Sequence, residues 1–488
     1  MQGNARRFIV AFVWLTLVFA PSAAPPVARA ADGRDDHDRR FPTLAPARII
    51  TAAEIAGVDY LTTMRGVGFA PDGDRLYVRL AQGDSPPERL FEVDLTAASG
   101  PAFRPVGAYE FFGGGIGPVV TPDGAAALVA RRGEHRAAHR DDLVLINLAD
   151  GAWTHVFECP EPPLHPDAPP AGMVAELVID HFAGFTNDGD TALVVWRVQP
   201  FGPTTEYWLY ECDLRTGAIA QRRVIRTPDD PAPKKEAGLS LFGSIETRRA
   251  RLIPKGNPRL LVSEHPDGPN GRSVQITPLD GDSPEPLRRS GTMPLDTGPA
   301  NEFARTNAPR SPIGSPHPDG FVIGVDAPAG RLWSIDLETG DATEFEPVHP
   351  GDLDAMFSAV VTASRAPPLV FVAPRFDPFR RPDAPEPPDD RFVVVYDPRD
   401  GSKLAELDLR AVLPAETPGP PGIPASQRRR LETIYESRVE SLAASPDGRR
   451  LIVEISAAGD EFVRFAPNRE HTLIIFDTSG IGVSESGN

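Results

Sequence analysis

The sequence predicts an all-β protein made of seven repeated four-stranded antiparallel units, and three observations lead to this prediction. The 488 residues include 43 Gly and 55 Pro, a composition that suits short strands and tight turns rather than long helices. A short apolar strand pattern followed by glycine returns seven times, and a turn that breaks two apolar runs lies upstream of each copy. Internal repetition at this scale is typical of arrays that bury their faces against one another.

The recurring apolar segment is predicted to be the third strand of each unit, because it alternates or runs apolar as half-buried or buried strands do. The seven copies are residues 89–95, 142–148, 207–214, 272–279, 331–337, 391–398 and 471–478. A glycine follows each copy within a few residues, where a tight hairpin needs a positive φ. These glycines are Gly100, Gly151, Gly217, Gly281, Gly340, Gly401 and Gly480.

The upstream turn is a Pro-Asp-Gly or Asn-Asp-Gly sequence in five copies and is degenerate in the fourth and sixth. Proline presets one φ and glycine permits the next, so the strand reverses there. From Pro71 to Pro446, 375 residues hold six repeats, about 62 residues each. Because each unit can bury its faces only against its neighbours, we expect a single seven-bladed β-propeller of four-stranded antiparallel blades. The predicted blades are 59–107, 113–159, 174–225, 239–291, 307–348, 353–409 and 434–486.

Closure of the ring has two possible solutions, because few residues follow the third strand of the last blade. Residues 481–486 could supply its outer strand, or residues 46–54 could return to it from the start of a domain that spans 46–488. We prefer the second solution.

The first thirty residues are predicted to be a secretory signal peptide. Arg6 and Arg7 precede an apolar run from Phe8 to Ala20, and a tail of small residues ends at Ala30. An uncleaved anchor is the alternative, but the run is shorter than the roughly 20 residues that span a bilayer. We therefore expect a periplasmic or secreted protein, without stable membrane insertion after cleavage, whose residues 31–45 form a disordered charged linker.

The Pro-Asp-Gly turn, the strand after it and the Asp-Leu-x-Thr-Gly ending resemble the TolB-type and YVTN-type bacterial propeller repeats, which are similar to WD repeats. This resemblance covers nearly the whole mature chain and implies the fold, but such propellers include protein-binding scaffolds, ligand binders and occasional enzymes. A related group of hydrolases adds a domain with a Gly-x-Ser-x-Gly motif, which this sequence lacks.

Composition and motifs narrow the classes of function. The formal net charge is −18, and it becomes −21 without the three arginines of residues 1–30, so nucleic acid is not an expected partner. The sequence contains no motif for phosphate, zinc or dinucleotide binding, and we predict no cofactor and no metal. Export would permit a disulfide between Cys159 and Cys212, with two buried thiols as the alternative.

Loop length is the feature that points to a functional face. Turns between strands one and two and between strands three and four are short, whereas the other two classes of connection carry the insertions and emerge on one face. The candidate binding residues at the rim of that face are Arg131, Arg132, His135, Arg375, Arg380 and Arg381. Those on innermost strands near the mouth of the channel are Arg65, Glu176, Asp180, Glu246, Arg310, Arg438 and Glu440.

Three functions are compatible with this arrangement. The preferred one is a binding module of the cell envelope or medium that docks a protein, peptide or other ligand on its loop-rich face, where arginines suit carboxylates. The alternative is a lactonase-like or lyase-like enzyme, which would require residues such as Glu176, Asp180 and Glu246 to meet a histidine around a metal. The third is a structural or sensory part of a larger complex. The sequence does not identify the partner or the oligomeric state.

Overall fold

The structure is a computed structural model, and the residues that it describes form an almost entirely β-stranded protein. The described ranges are 41–57, 63–82, 85–97, 102–109, 118–132, 141–158, 176–186, 189–199, 206–226, 250–253, 260–266, 271–278, 288–289, 293–294, 321–326, 331–336, 342–348, 355–363, 367–376, 391–413, 438–458 and 469–482. Within these ranges, no helix is long and apolar enough to cross a membrane.

The chain begins with two short strands and a one-turn helix, β1 (Thr43–Leu44), β2 (Arg48–Thr51) and α1 (Ala52–Ala56). The strands of sheets one and two are β3 (Thr63–Phe69), β4 (Arg75–Gln82), β5 (Ser85–Asp94), β6 (Ala102–Tyr109), β7 (Val119–Val120), β8 (Ala126–Arg132), β9 (Asp141–Asn147) and β10 (Trp153–Phe157). Those of sheets three and four are β11 (Glu176–Phe185), β12 (Thr191–Gln199), β13 (Glu206–Asp213), β14 (Ile219–Arg226), β15 (Ala250–Ile253), β16 (Leu260–Pro266), β17 (Gly271–Pro278), β18 (Arg288–Arg289) and β19 (Met293–Pro294).

The remaining strands build sheets five to seven. They are β20 (Phe321–Asp326), β21 (Arg331–Asp336), β22 (Ala342–Glu344), β23 (Ala355–Ala363), β24 (Leu369–Phe376), β25 (Phe392–Tyr396), β26 (Lys403–Asp408), β27 (Arg438–Ala444), β28 (Arg450–Ala458) and β29 (Arg469–Asp477).

The described strands form seven sheets, in which consecutive strands are antiparallel neighbours. Sheets one, two and three contain β3 to β6, β7 to β10 and β11 to β14, in chain order. In sheet four, β15 to β18 follow the same order and β19 also pairs with β17. Sheet five contains β20 to β22, sheet six β23 to β26, and sheet seven β27 to β29, and the last two each gain one strand from the N-terminal segment.

The hydrophobic core lies between consecutive sheets rather than in one central layer. Separate clusters join sheet five to six, six to seven, one to two, and two to three. A further cluster joins sheet seven to sheet one, with Ile452 and Leu473 packed against Leu76 and Val78. Because the last sheet packs on the first, the described sheets have the circular arrangement of a β-propeller.

The repeated turns explain why the strands end where they do. The Asp-Gly turns before the second strands place Gly73, Gly124, Gly189 and Gly448 at positive φ, as the sequence predicts. The aspartate that ends the third strand accepts hydrogen bonds from backbone amides two or three residues later, as Asp213 does from Arg215 and Thr216 at 2.9 Å. The prediction for the last repeat is wrong in detail, because positive φ occurs at Gly482 rather than at Gly480.

Sheet seven receives its outer strand from the start of the domain. β2 pairs with β29 over four residues, from Arg48 opposite Ile475 to Thr51 opposite Thr472. Thr51 then caps α1, since its hydroxyl accepts a hydrogen bond from the Glu54 amide at 3.1 Å and the Glu54 carboxylate returns to the Thr51 amide at 2.7 Å. Ile50 and Ile55 are buried in the cluster between sheets seven and one.

The end of the predicted linker 31–45 is ordered rather than disordered. β1 runs parallel to β26, with Thr43 opposite Glu406 and Leu44 opposite Leu407. Lys403 Nζ lies 5.1 Å from the centre of the Phe41 ring, and Leu44 packs against the cluster of sheets six and seven. These apolar and cation–π contacts explain why residues 41–45 join sheet six.

Candidate functional site

Each antiparallel sheet has two edges, which we call the turn edge and the loop edge. Strands one and two, and strands three and four, are joined at the turn edge, for example by residues 70–74 and 148–152. The second strand leads to the third, and each sheet leads to the next, at the loop edge. The connections there include 133–140, 227–249, 377–390, 414–437 and 459–468, which lie outside the described residues. The described part of this face is therefore the set of strand ends that carries those connections.

The loop edge of sheet one contains a buried ion pair. Arg79 Nε in β4 lies 2.6 Å from Glu88 Oε2 in β5, and the two side chains are 0% and 4% exposed. Arg79 Nη1 also donates a hydrogen bond of 3.4 Å to the Ala130 carbonyl of sheet two. A buried charged pair needs such additional hydrogen bonds to offset the free-energy cost of removing its charges from water. Arg79 therefore links the two sheets just below the connections.

Sheet two carries a second ion pair on the face toward sheet one. Arg131 Nη2 lies 3.1 Å from Asp142 Oδ2, with 23% and 8% of the side chains exposed. The Arg131 guanidinium also lies 5.2 Å from the centre of the Trp153 ring, which is in turn stacked on Tyr109 at 6.1 Å. The predicted rim residue Arg131 thus has its charge balanced by Asp142.

Sheet seven brings together polar residues that the sequence analysis missed. His471 Nδ1 lies 3.0 Å from Glu454 Oε1, and Ser441 Oγ donates a 2.6 Å hydrogen bond to Glu454 Oε2. Ser456, which is completely buried, donates to the predicted residue Glu440. The available signal was a single acidic residue inside an apolar strand, Arg-Leu-Ile-Val-Glu-Ile-Ser at 450–456. Charged residues are almost never buried unless they are paired, so a partner could have been expected.

The pairs in sheets one and seven occupy the same register. Arg79 and Glu454 are each the fifth residue of the second strand, and their partners Glu88 and His471 each face its seventh residue. Sheet one places the basic side chain on the second strand, whereas sheet seven places the acidic side chain there. This position near the loop edge accepts a polar pair of either orientation.

The other predicted site residues fall into two groups. Arg65, Glu176, Asp180 and Arg438 lie on innermost strands, and Arg132 and Arg375 lie near the ends of β8 and β24. His135, Glu246, Arg310, Arg380 and Arg381 lie outside the described residues, as does Cys159. Cys212 is a free thiol in the cluster of sheets two and three, and burial raises its pKa to about 12. In the described part of the chain, no group of three or more His, Cys, Asp or Glu side chains is arranged to hold a metal ion.

Charged groups at the turn edge are engaged in the turns themselves. The Thr121 hydroxyl and the Ala125 amide hold the pKa of Asp123 below its usual value. Burial acts to raise the pKa of Glu92, but the hydrogen bond that its carboxylate accepts from Arg104 at 2.7 Å helps to lower this pKa below the usual value. Arg450 of sheet seven lies 2.7 Å from Asp74 of sheet one, which ties the last sheet to the first. These charged groups of the turn edge therefore stabilise the fold.

No protein-family model and no curated protein matches this sequence. Solved structures with a similar fold include an oligogalacturonate lyase in complex with manganese, at 13% identity and a TM-score of 0.46, with 90% of this chain and 97% of that chain covered. A putative 6-phosphogluconolactonase from Bacteroides fragilis has 11% identity and a TM-score of 0.42, with 86% and 94% covered. Chaetomium thermophilum Sqt1 bound to the N-terminus of a ribosomal protein has 10% identity and a TM-score of 0.43, with 90% and 100% covered. At these identities the comparisons assign no function.

Proposed function

We propose that this protein is an exported binding module, a seven-bladed propeller that docks a protein or peptide on the face formed by its loop edges. The observation that carries the proposal is the separation of short turns from long connections onto opposite edges of the same sheets. Function in such folds is usually carried by long loops on a rigid scaffold. The sheets supply that scaffold, and one edge supplies the loops.

The charge distribution of the described residues supports the same face. Turn-edge carboxylates such as Asp123 and Glu92 accept hydrogen bonds from groups within the fold, so these carboxylates stabilise the structure. Near the loop edge, buried pairs such as Arg79 with Glu88 connect neighbouring strands and so hold the strand ends in place. Rigid strand ends below long connections reduce the entropy that a docking surface loses on binding.

The structure changes which arginines we assign to the binding surface. Arg131 is removed, because Asp142 and the Trp153 ring already hold its guanidinium. Arg132, Arg375, Arg380 and Arg381 remain, together with His135, in an otherwise acidic protein. Guanidinium groups recognise carboxylates through two parallel hydrogen bonds, so we propose an acidic segment of a partner as the binding determinant.

The binding face can be tested by capture from an envelope fraction with two matched triple variants. In the loop-edge variant Arg132, Arg380 and Arg381 are changed to Ala. In the control, the turn-edge residues Arg215, Arg399 and Arg449, whose side chains are 72%, 63% and 74% exposed, are changed to Ala. Both variants lose three positive charges, so a nonspecific charge effect would be equal in the two.

We expect the wild type and the turn-edge control to retain a partner that the loop-edge variant loses. Equal capture by all three proteins, or equal loss in both variants, would contradict a docking site on the loop edge. Export is tested separately by sequencing the N-terminus of the protein produced from the full chain in a bacterial host. We propose that it begins at Ala31, and a mature protein that still begins at Met1 would contradict the signal peptide.

A further inference from the structure

Sheet six contains one strand more than a four-stranded blade needs. Its own strands β23 to β26 complete an antiparallel sheet like sheets one, two and three, and β1 is then added to the outer side of β26, opposite β25. Sheet seven is different, because it has three strands of its own and β2 supplies the fourth. β2 is therefore required to complete a blade, whereas β1 is not.

β1 is also held by fewer contacts than β2. It pairs with β26 through two residues, and the Glu406 amide donates a hydrogen bond of 3.1 Å to the Pro42 carbonyl. β2 pairs with β29 through four residues. Ile50 of β2 is 1% exposed, whereas none of the residues 41–45 is fully buried. The pairing of β1 is the weaker of the two.

A proline separates the two strands. Pro46 lies between β1 and β2, and it has no amide hydrogen that could continue a ladder of hydrogen bonds from one strand to the other. The pairing of β1 with sheet six and the pairing of β2 with sheet seven are therefore separate units. Release of β1 from sheet six leaves the pairing of β2 with β29 intact.

The outer side of β26 contacts its occupant in three ways. The backbone of β26 pairs with Thr43 and Leu44, and the Leu44 side chain packs against the cluster of sheets six and seven. Lys403 Nζ lies 5.1 Å from the centre of the Phe41 ring and 6.0 Å from that of Phe392. The segment that fits is thus an extended chain with an aromatic residue three positions before an aliphatic one.

A second copy of the chain carries this segment. When β1 leaves, the outer side of β26 presents unpaired backbone groups, which are a template for a strand from another chain. We propose that two copies exchange β1 at Pro46, so that β1 of each copy pairs with β26 of the other. Such a contact is symmetric, since each copy gives and receives the same strand. The surface lies on sheet six rather than at the loop edge, so the inference goes beyond the proposed function.

The exchange depends on protein concentration. Within one chain, β1 is tethered close to its own sheet, and a short tether gives an effective concentration on the order of millimolar. After one strand has exchanged, the two chains are held together and the second exchange is intramolecular. We therefore expect the exchanged dimer to increase as the protein is concentrated.

Cysteines placed on separate chains test the exchange. Thr43 and Glu406 face each other on β1 and β26, and neighbouring strands lie about 5 Å apart, a distance that a disulfide can bridge. The intact variants Thr43→Cys and Glu406→Cys are mixed at high concentration and oxidised, and we expect a disulfide-linked heterodimer. Each variant alone, which also contains the native Cys159 and Cys212, measures the background. An intrachain disulfide in the double variant, together with no heterodimer in the mixture, would overturn the inference.

A matched pair on β2 serves as the control. Thr51 and Thr472 face each other on β2 and β29, and a mixture of Thr51→Cys with Thr472→Cys should give no linked heterodimer because β2 is needed in its own blade. Equal linking in the two mixtures would overturn the assignment of the exchange to β1 alone.

Light scattering of the wild type measures the dimer without cysteines. We expect a dimer that increases with concentration, and a monomer at every concentration would overturn the inference. Leu44→Asp should abolish this dimer by removing the apolar contact of β1. The control Ile49→Asp changes an exposed residue of β2 and should keep the dimer. Loss of the dimer in both variants, or in neither, would contradict exchange of β1.

Discussion

Sheets one and seven each bury a pair of polar side chains at the same position, but the acidic member lies on the third strand in sheet one and on the second strand in sheet seven. In sheet one, Arg79 on the second strand pairs with Glu88 on the third, whereas in sheet seven Glu454 on the second strand pairs with His471 on the third. The register is the same, and all four side chains are buried. This position therefore requires a complementary pair, not a particular residue.

The two pairs differ in what happens when one member is removed. Arginine keeps its charge at any pH compatible with folding, and Arg79 also bonds to the Ala130 carbonyl of the next sheet. In sheet seven the partner of the carboxylate is a histidine rather than a permanently charged guanidinium, and Glu454 has a further hydrogen bond from Ser441. Loss of one partner should therefore be severe in sheet one and milder in sheet seven.

The largest effect is expected for Arg79→Met. This change leaves the Glu88 carboxylate buried without its cation, and removing one partner of a buried pair typically costs about 3–5 kcal/mol. Urea unfolding measures the loss. The double variant Arg79→Met/Glu88→Met should recover most of it, because a buried pair replaced by apolar side chains is often close to neutral. A loss below about 1 kcal/mol in the single variant would show that the pair is not desolvated as the structure implies.

A smaller effect is expected for Arg131→Ala, which tests the partly exposed pair of sheet two. The change removes the ion pair to Asp142 and the contact with Trp153, and we expect a loss of about 1–3 kcal/mol in the free energy of unfolding. Arg131→Lys keeps the charge but not the planar group and should lose part of this stability. If Arg131→Ala were as stable as the wild type, Arg131 would return to the set of candidate binding residues.

Glu454→Gln should cost about 1 kcal/mol, because the amide keeps an oxygen for the Ser441 hydroxyl and can still hydrogen-bond to the His471 ring. The measurement is again urea unfolding, in parallel with Glu88→Gln in sheet one. We expect the Glu88 variant to be the less stable of the two, since it leaves Arg79 charged and buried. Equal losses would remove the distinction between the two pairs.

The smallest effect is expected at the turn edge, for Asp123→Asn. The folded-state pKa of Asp123 is lowered, so its contribution to stability is present above the ordinary aspartate pKa and is lost as pH falls through the lowered value. The wild type should thus lose slightly more stability than the variant between pH 5 and 3, by less than about 1 kcal/mol because the carboxylate is exposed. Thermal unfolding across this range measures the difference, and parallel curves would contradict it.

Much of the fold could be predicted from sequence because the residues that end its strands and form its turns act locally. The glycines of the Asp-Gly turns and the aspartates that end third strands determine the backbone only within a few residues. The turns of each repeat can therefore be predicted from the sequence of that repeat alone. β1 could not be predicted, because two residues in parallel pairing leave no periodic pattern. At Gly480 the glycine was recognised correctly but the turn continues to Gly482, since the Ile481 amide bonds to the Thr478 carbonyl first.

The candidate site was less predictable because it depends on register between strands. Arg131 faces Asp142 directly across a hairpin, whereas His471 faces Ser456 and reaches Glu454 diagonally, two residues away on the same strand. A one-residue difference in register would reverse which side chains share a face. Arg65, Asp180 and Glu440 illustrate the same point, since each is skipped in the pairing with the second strand, and this irregularity appears only once the strands are paired.

The measurement that tests the central claim most directly is hydrogen–deuterium exchange of the protein with and without its captured partner, resolved by peptide. We predict slower exchange on binding in peptides that cover 133–140, 377–390 and 459–468, with unchanged exchange in the turn-edge peptides around 70–74, 148–152 and 445–449. Protection confined to the turn-edge peptides would contradict a docking face on the loop edge.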